Sequence, residues 1–427
     1  MSHKRELTNP KPRRESDEGR AHWYPYYAGY SPAFVADILD RLQLGPDASV
    51  LDPWNGSGTT TTVCSLKGVH SRGFDINPAM IVVARARLLP ENTASSLAPL
   101  LKAIVQHAKA SSGPAVLEEP LLAWFGPETS IKLRAVERSI RHLLTEDARS
   151  VLQSLRTVEN LSSLSAFFYV LLFRLVRRAL KSTATTNPTW VRARAKNVRA
   201  MLTWTDIAQG LAAELQGIRL LDECNQERVA FAQVYVSIGD SLKINVADSS
   251  VDAVITSPPY CTRIDYAVAT RVELAVLNMD SPAKFEELRR GMLGTTLANK
   301  AVGQSLKSES ANILLDRIRS HPSKASSTYY YSTYSDYFFK LESSLAEIAR
   351  ALKPRGTAAL VVQDSSYKEL HVDLATAVTE TFSKLDVTAS ERWNFPVLRS
   401  MRQIHTGARS HSANWRPTES VLLFEKN

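Results

Sequence analysis

The stretch Ser257-Pro258-Pro259-Tyr260 combines a small hydroxyl, two rigid prolines and an aromatic ring at the end of an apolar run. That run, residues 253–256, has the pattern of a buried strand. Two successive prolines cannot continue a sheet ladder or enter a helix interior, so the backbone must leave the strand in a stiff turn. Open α/β sheets place ligands at the carboxyl ends of their strands. The four residues are therefore predicted to form a catalytic site that grips a planar amine.

A glycine-containing loop follows a second short strand pattern at residues 49–51. Glycines let the backbone approach a ligand closely, and the helix predicted after the loop points its free N–H groups into the same space. The loop has neither the spacing of the dinucleotide fingerprint nor the Gly-Lys-Ser/Thr of a phosphate-binding loop. The predicted ligand contacts are Asp52, Pro53, Asn55, Gly56, Ser57, Gly58, Thr59 and Thr60.

Two further strand patterns end in acidic residues. Asp75 closes the βαβ unit that begins at the glycine loop, where an acid conventionally accepts the ribose hydroxyls of a nucleoside. An acid that only shapes a turn is the alternative for this position. Asp240 and Ser241 end a later strand pattern and are fit to meet the amine of an adenine ring. The predicted nucleoside site therefore consists of Asp75, Ile76, Asn77, Asp240 and Ser241.

The middle of the chain, residues 93–225, changes to long helical periodicity with few strand signals. Residues 171–204 hold eight basic residues and no acid, around a polar loop that ends in a tryptophan. Arginines, hydroxyls and an indole ring suit phosphate contacts and base stacking, although a solvated helix face is the simpler alternative. The candidate nucleic-acid contacts are Arg177, Arg178, Lys181, Trp190, Arg192 and Arg194, together with Arg263 after the proline turn.

Composition limits the class of protein. The 427 residues can form two domains or one large α/β domain with insertions, and the net charge of +9 suits a polyanionic partner without proving one. Three cysteines lie far apart without a CxxC pair, so no metal site is expected and a reducing, cytoplasmic compartment is favoured. The longest apolar stretch, residues 164–176, contains Arg174 and predicts a buried helix rather than a membrane span. The first residues lack the pattern of a signal peptide, so none is expected.

The motifs together resemble a known family. The loop Asp52-Pro53-Trp54-Asn55-Gly56-Ser57-Gly58-Thr59-Thr60 resembles the S-adenosylmethionine loop of the amino-group DNA methyltransferases. The Ser257 motif resembles their catalytic motif in the form usual for cytosine-N4 enzymes, since adenine-N6 enzymes more often carry Asp or Asn in place of the serine. The aromatic segment 22–30, with Tyr24 and Tyr27, is similar to the motif that lies against the methionine end of the cofactor. Residues 352–356 resemble the family's Leu-Lys-Pro-Gly-Gly turn, with Arg355 in place of one glycine and Gly356 expected to form the tight turn.

The resemblance implies a Rossmann-like α/β fold with a mostly parallel sheet, an antiparallel edge and a large helical insertion. Residues 22–92 and 226–427 would form the catalytic domain, residues 93–225 the insertion and candidate target-recognition region, and residues 1–21 a disordered basic tail. Target recognition would come from the insertion, from a mobile arm at residues 267–330, or from a partner. A further expectation is geometric, because the glycine loop and the Ser257 motif must line one shared cleft.

The implied activity is methylation of cytosine N4 in double-stranded DNA, with S-adenosylmethionine as cofactor and with the target base flipped out of the duplex. A cognate restriction endonuclease or a defence-system subunit is the candidate protein partner. An adenine-N6 DNA methyltransferase is the alternative. RNA or protein-glutamine methylation, and a nucleic-acid-binding module without turnover, are weaker alternatives.

Overall fold

The computed structural model describes residues 6–11, 19–25, 29–113, 119–145, 158–180, 193, 195, 198–218, 232–261, 265–297, 305–397 and 417–427. Within these ranges the main sheet is built from β1 (Ser49–Asp52), β2 (His70–Asp75), β3 (Val234–Ile238), β4 (Val251–Thr256), β5 (Leu352–Gln363), β8 (Val387–Pro396) and β9 (Thr418–Lys426). A separate antiparallel pair consists of β6 (Ser365–Tyr367) and β7 (Leu370–Val372).

The strands of the main sheet follow the spatial order β3-β2-β1-β4-β5-β9-β8. Neighbouring strands from β3 to β5 run parallel, whereas β9 is antiparallel to both β5 and β8. The chain order reverses between β1 and β4, which is where open α/β sheets form a ligand crevice at their carboxyl ends. The predicted Rossmann-like fold with a mostly parallel sheet and an antiparallel edge is thus confirmed.

Helices cover both faces of this sheet. Their bounds are α1 (Pro32–Leu42), α2 (Thr59–Leu66), α3 (Pro78–Ala86), α4 (Ala94–Ala110), α5 (Pro127–Leu144), α6 (Ser163–Leu180), α7 (Trp204–Gln216), α8 (Tyr266–Ala269), α9 (Arg271–Val276), α10 (Pro282–Gly291), α11 (Glu309–Ser320), α12 (Tyr331–Ala351) and α13 (Leu374–Ser383). Shorter helical turns lie at Gly19–Trp23, Glu91–Thr93, Pro120–Ala123 and Ser326–Tyr330.

Successive strand residues point to opposite sides of the sheet, and helices bury the side chains on both faces. In β5, Ala359 and Val361 belong to the apolar cluster that contains residues of α1 and α2. Leu360 and Val362 belong to the opposite cluster, which contains residues of α12 and α13. Residues 358–362 of β5 are therefore apolar at every position, because both faces of this part of the strand are covered.

The helical segment α4–α7 packs on the sheet domain rather than apart from it. One continuous apolar cluster joins α3 to α4, α5, α6 and α7, and it includes Trp23 and Tyr24 of the aromatic segment. Helix α6 is buried along most of its length, as the sequence predicted for residues 164–176. Among the described helices, none is long and apolar enough to cross a membrane.

Two sequence-based expectations need correction. Residues 6–11, within the predicted disordered tail, pack on the fold, because Leu7 is buried and the Thr8 amide donates to the Asp37 carboxylate at 2.7 Å. Much of the predicted mobile arm at residues 267–330 is also packed, since Leu314, Leu315 and Ile318 are buried in a shared core. Burial of Leu7 in the first segment, and of several apolar residues in the second, contributes favourable free energy.

The turn before the central part of β5 also differs from expectation. Arg355 has a φ of 62°, whereas Gly356 has no positive φ. An added Cβ at Gly356 would lie 2.8 Å from the Lys353 carbonyl oxygen. Gly356 is therefore required for a close approach, and the left-handed conformation falls on the exposed arginine.

Candidate active site

One cleft of about 730 Å³ lies at the carboxyl ends of β1, β2 and β4. It is lined by the glycine loop at Pro53, Trp54, Asn55, Gly56, Ser57 and Thr59, and by all four residues of the Ser257 motif. The acid-containing strand ends also line it, through Asp75, Ile76, Asn77, Asp240 and Ser241. The two principal motifs therefore share one cavity, as the sequence required.

Asp52 lies behind the wall of this cleft, not in it. Its carboxylate accepts hydrogen bonds from the Tyr30 hydroxyl at 2.9 Å and the Thr256 hydroxyl at 2.6 Å, and from the Trp54 amide at 3.2 Å. Only 1% of the residue is exposed, and this burial raises the pKa of its carboxyl group. Asp52 thus joins the glycine loop to β4 and to the segment that precedes α1.

Gly58 and Thr60 also lie outside the cleft lining. Gly58 has a φ of 83°, and a Cβ there would lie 2.6 Å from the Ala84 Cβ of α3. Thr60 is fully buried and contacts the Tyr30 hydroxyl. Both residues shape the loop and its packing. Asp52, Gly58 and Thr60 thus lie outside the cleft lining, and their predicted cofactor contacts stay predictions.

Asp75 holds the glycine loop against the end of β2. Its two carboxylate oxygens accept from the Gly56 amide at 2.9 Å and the Asn77 amide at 2.8 Å, which fixes the loop against the end of β2. Burial raises the pKa of this carboxyl group to about 6. Each oxygen keeps a second lone pair for a ligand hydroxyl.

The adjoining wall carries polar groups from the glycine loop and from the segment after β3. The buried Asn55 Nδ2 has no hydrogen-bond partner among the described residues, and its side chain lies against Gly73. Asp240 accepts from the Leu242 amide at 2.9 Å, and the Ser241 hydroxyl lies 2.9 Å from that of Ser344. Polar capacity therefore remains at Asn55 and Asp240 for a ligand in the cleft.

Ser257 has a defined hydrogen-bonding role. Its Oγ lies 2.8 Å from the Val361 carbonyl oxygen of β5. A carbonyl oxygen can only accept, so the serine hydrogen is committed to it and the Oγ lone pairs remain as acceptors. The hydrogen bonds between described residues leave the Pro258 carbonyl unengaged, whereas the Pro259 carbonyl accepts from the Tyr337 hydroxyl at 2.8 Å. This proline corner, residues 257–260, thus presents two hydrogen-bond acceptors, the Ser257 Oγ and the Pro258 carbonyl oxygen.

Tyr260 is held by a buried acid that the motif did not predict. Its hydroxyl donates to Glu419 Oε1 at 2.8 Å, and Glu419 is 3% exposed at the start of β9. Burial and the nearby Glu419 carboxylate raise the pKa of Tyr260 well above its usual value, so the phenol stays protonated. The ring lines the cleft while its hydroxyl is tied to the sheet.

Tyr24 and Arg177 meet at the other end of the cleft. The Arg177 guanidinium lies 5.3 Å from the centroid of the Tyr24 ring and bonds Glu273 Oε2 at 3.0 Å. Burial raises the pKa of Tyr24. Arg178 bonds Glu214 and is 42% exposed. Arg177 is therefore engaged within the fold, and a DNA contact by Arg177 or Arg178 stays a prediction.

Several predicted residues lie outside the described ranges: Tyr27, Lys181, Trp190, Arg192, Arg194 and Arg263. The structure adds residues to the site that sequence patterns missed, namely Tyr30, Arg87, Tyr337 and Glu419. A polar residue next to a predicted strand end was the only signal for Glu419. The sequence signal for Arg87 was weaker, namely a cationic residue at the end of a predicted apolar helix.

No protein-family model matches the chain. It is 26% identical over 318 residues to the type II methyltransferase M.BsoBI of Geobacillus stearothermophilus, a match that covers 69% of this chain and 60% of that protein. It is 23% identical over 401 residues to the type II methyltransferase M.MvaI of Kocuria varians, covering 86% of this chain and 81% of that protein.

Among solved structures, the comparison matches the chain to a putative sarcosine dimethylglycine methyltransferase from Galdieria sulphuraria, with 10% identity and a TM-score of 0.32 over 93% of this chain and 85% of that one. The rRNA methyltransferase AviRa from Streptomyces viridochromogenes has 13% identity and a TM-score of 0.30 over 94% and 87% of the two chains. The fold assignment rests on the strand order of this chain. In sequence, the chain is similar to type II methyltransferases over most of its length.

Proposed function

We propose that this protein transfers a methyl group from S-adenosylmethionine to the exocyclic amine of a DNA base, with cytosine N4 as the favoured target. The observation that carries the proposal is the orientation of Ser257, whose oxygen can only accept a hydrogen bond from the cleft that it shares with the glycine loop. The similarity to two type II methyltransferases supports the same chemistry.

The residues of the cleft fit an adenosyl cofactor. A volume of about 730 Å³ lies within the range of small-molecule sites. The Asp75 carboxylate can accept ribose hydroxyls, Asp240 can accept an adenine amine, and the unpartnered Asn55 amide can donate to the ligand. When bound, S-adenosylmethionine would supply a methyl group on a positively charged sulfur, activated for displacement.

The proline corner supplies what an exocyclic amine needs. The amine lone pair is delocalised into the base ring, which makes the nitrogen a poor nucleophile. Ser257 Oγ and the Pro258 carbonyl can each accept one N–H bond, and this localises the lone pair on the nitrogen for attack on the methyl carbon. The methyl–sulfur bond would break as the nitrogen–carbon bond forms, a neutral thioether would leave, and the amine would lose one proton to solvent. The contribution of the corner is positioning and fixed dipoles, because it is rigid before the substrate arrives.

DNA as the substrate is supported by the net charge of +9 and by the relatives. A base inside a duplex must be flipped out to reach the cleft, at a cost of a few kcal/mol, and the ring of Tyr260, a lining residue, would stack on it. Candidate phosphate and base contacts remain the seven basic and aromatic residues predicted from the sequence. Restriction-modification with a cognate endonuclease is the proposed setting.

Cytosine N4 is favoured over adenine N6 because the motif begins with serine, the form that resembles cytosine-N4 enzymes. The serine is a preference within that family and not a rule. Methylation at adenine N6 is therefore the second candidate, since the two acceptors of the corner would hold either amine.

The test is methyl transfer from labelled S-adenosylmethionine to a long unmethylated DNA of mixed sequence, followed by mass spectrometry of the nucleosides. The expected product is N4-methyldeoxycytidine, and N6-methyldeoxyadenosine would establish the second candidate instead. Protein that binds the cofactor but incorporates no label into DNA would overturn the proposed DNA substrate. The Ser257→Ala variant serves as the background control.

A further inference from the structure

Arg87 is a buried cation in the wall of the cleft. It follows the last residue of α3, is 3% exposed and lines the cavity. Its Nη1 donates to the Ser57 hydroxyl of the glycine loop at 2.9 Å, and its Nη2 donates to the Ala21 carbonyl at 2.8 Å. The guanidinium is therefore fixed between the glycine loop and the aromatic segment.

Within the described part of the chain, no carboxylate lies within 4.0 Å of the Arg87 guanidinium, and its Nε has no hydrogen-bond partner. The other two arginines of the cleft lining differ in this respect. Arg174 bonds Glu214 at 2.7 Å, and Arg177 bonds Glu273. Arg87 thus contributes a positive charge to the cleft that no acid among the described residues neutralises at close range.

An uncompensated buried charge is costly in a folded protein. Neutral hydroxyl and carbonyl partners stabilise a guanidinium less than a carboxylate does. Burial lowers the pKa of Arg87 to about 10, so the group remains charged at neutral pH. A ligand that brings an anion to this wall would recover the missing interaction, and the planar guanidinium suits a carboxylate.

We propose that Arg87 binds the carboxylate of the amino-acid part of the adenosyl cofactor. This rests on the proposed function, because S-adenosylmethionine carries one anionic group, its carboxylate. Asp75 and Arg87 line the same cleft, so a carboxylate is available for the ribose hydroxyls and a cation for the carboxylate of the cofactor. Arg87 is then a specificity determinant that favours the complete cofactor over adenosyl compounds without a carboxylate.

The first test needs only the unaltered protein. Isothermal titration calorimetry compares S-adenosylmethionine with decarboxylated S-adenosylmethionine, which keeps the adenosine, sulfonium and amine. We expect the complete cofactor to bind about 100-fold more tightly, the size typical of a desolvated charge pair. Equal affinities, within threefold, would overturn the role of Arg87 while leaving the cofactor proposal intact.

The second test is the Arg87→Met variant, which keeps the aliphatic volume and removes the charge. The expected result is loss of the preference to below about fivefold, through weaker binding of the complete cofactor only. Arg87→Lys should keep an intermediate preference, since an ammonium retains the charge without the planar fork. A preference unchanged in Arg87→Met would overturn the proposal.

Arg85→Met is the matched control. Arg85 lies two residues earlier on α3 and also donates to backbone carbonyls, at Val236 and Leu161, but it is outside the cleft lining. Its loss should leave the preference between the two ligands unchanged within twofold. If the unaltered protein binds neither ligand, the proposed cofactor fails, and the role of Arg87 fails with it. That outcome is distinct from equal binding of both ligands.

Discussion

The two sides of the cleft are built in different ways. On the glycine-loop side, Asp52 and Asp75 accept hydrogen bonds from neighbouring hydroxyls and amides, and these bonds hold the loop in place. On the proline side, Pro258 and Pro259 fix the backbone covalently, and acceptors at Ser257 and Pro258 remain available.

This difference separates structural from chemical roles. Substitutions behind the glycine loop should reduce stability first, because they leave buried partners without hydrogen bonds. Substitution of Ser257 in the proline corner should reduce turnover first, because Pro258 and Pro259 keep the backbone in shape without the serine side chain. The following predictions test that separation, beginning with the largest effect.

Ser257→Ala should lower kcat by about 10²- to 10³-fold, since one aimed dipole is lost from the reacting amine. Cofactor affinity and melting temperature should change little, because Pro258 and Pro259 still define the turn. Steady-state kinetics and calorimetry measure the two effects. Ser365→Ala is the matched control, since its hydroxyl also donates to a carbonyl, that of Cys261 at 2.9 Å, and the residue is outside the cleft lining. Turnover near the unaltered level in Ser257→Ala would contradict the role of this acceptor.

Asp52→Ala should destabilise the fold by about 3 kcal/mol, because the buried Tyr30 and Thr256 hydroxyls lose their shared acceptor. Urea denaturation measures the free energy of unfolding. Asp240→Ala is the comparison variant: Asp240 lines the cleft, so it should weaken cofactor binding with a smaller loss of stability. The separation of roles fails if Asp52→Ala weakens cofactor binding while the free energy of unfolding is unchanged.

Cofactor affinity should fall below pH 6. Burial raises the pKa of Asp75 to about 6, so the carboxyl group becomes protonated as the pH falls through that value. Protonation removes an acceptor for ribose hydroxyls, and Kd should rise by up to about tenfold per pH unit below 6 while staying flat above 7. Calorimetry at several pH values measures this, and Asp75→Asn should bind weakly without that pH dependence. An unaltered protein whose Kd is the same at pH 5 and pH 7.5 would show that Asp75 does not bind the ligand in its ionised form.

Arg355→Gly should stabilise the protein slightly, by about 0.5–1 kcal/mol, because glycine adopts the φ of 62° without strain. Arg355 is outside the cleft lining, so kcat and cofactor affinity should not change. Arg355→Ala removes the same side chain but keeps the Cβ, and its midpoint in urea should match that of the unaltered protein. Equal stability of the glycine and alanine variants would mean that the left-handed conformation carries no measurable strain.

The amino-acid sequence by itself determined the strand ends, the glycine loop and the proline corner. Apolar runs of strand length, and residues such as Gly56 and Pro258 with restricted or extended conformational range, act over a few positions, so they can be recognised locally. The order of these motifs around a parallel sheet then predicted that Asp75 and Ser257 face one cleft, because carboxyl ends of parallel strands lie at one edge.

Only the tertiary structure decided which polar groups are satisfied and which remain available. Asp52 belongs to the glycine-loop motif yet is enclosed by Tyr30 and Thr256, and Glu419 reaches Tyr260 from 159 residues away. Arg87 became a candidate cofactor-binding residue because no described acid approaches its guanidinium. Burial and pairing depend on contacts between distant parts of the chain, and local patterns contain no information about those contacts.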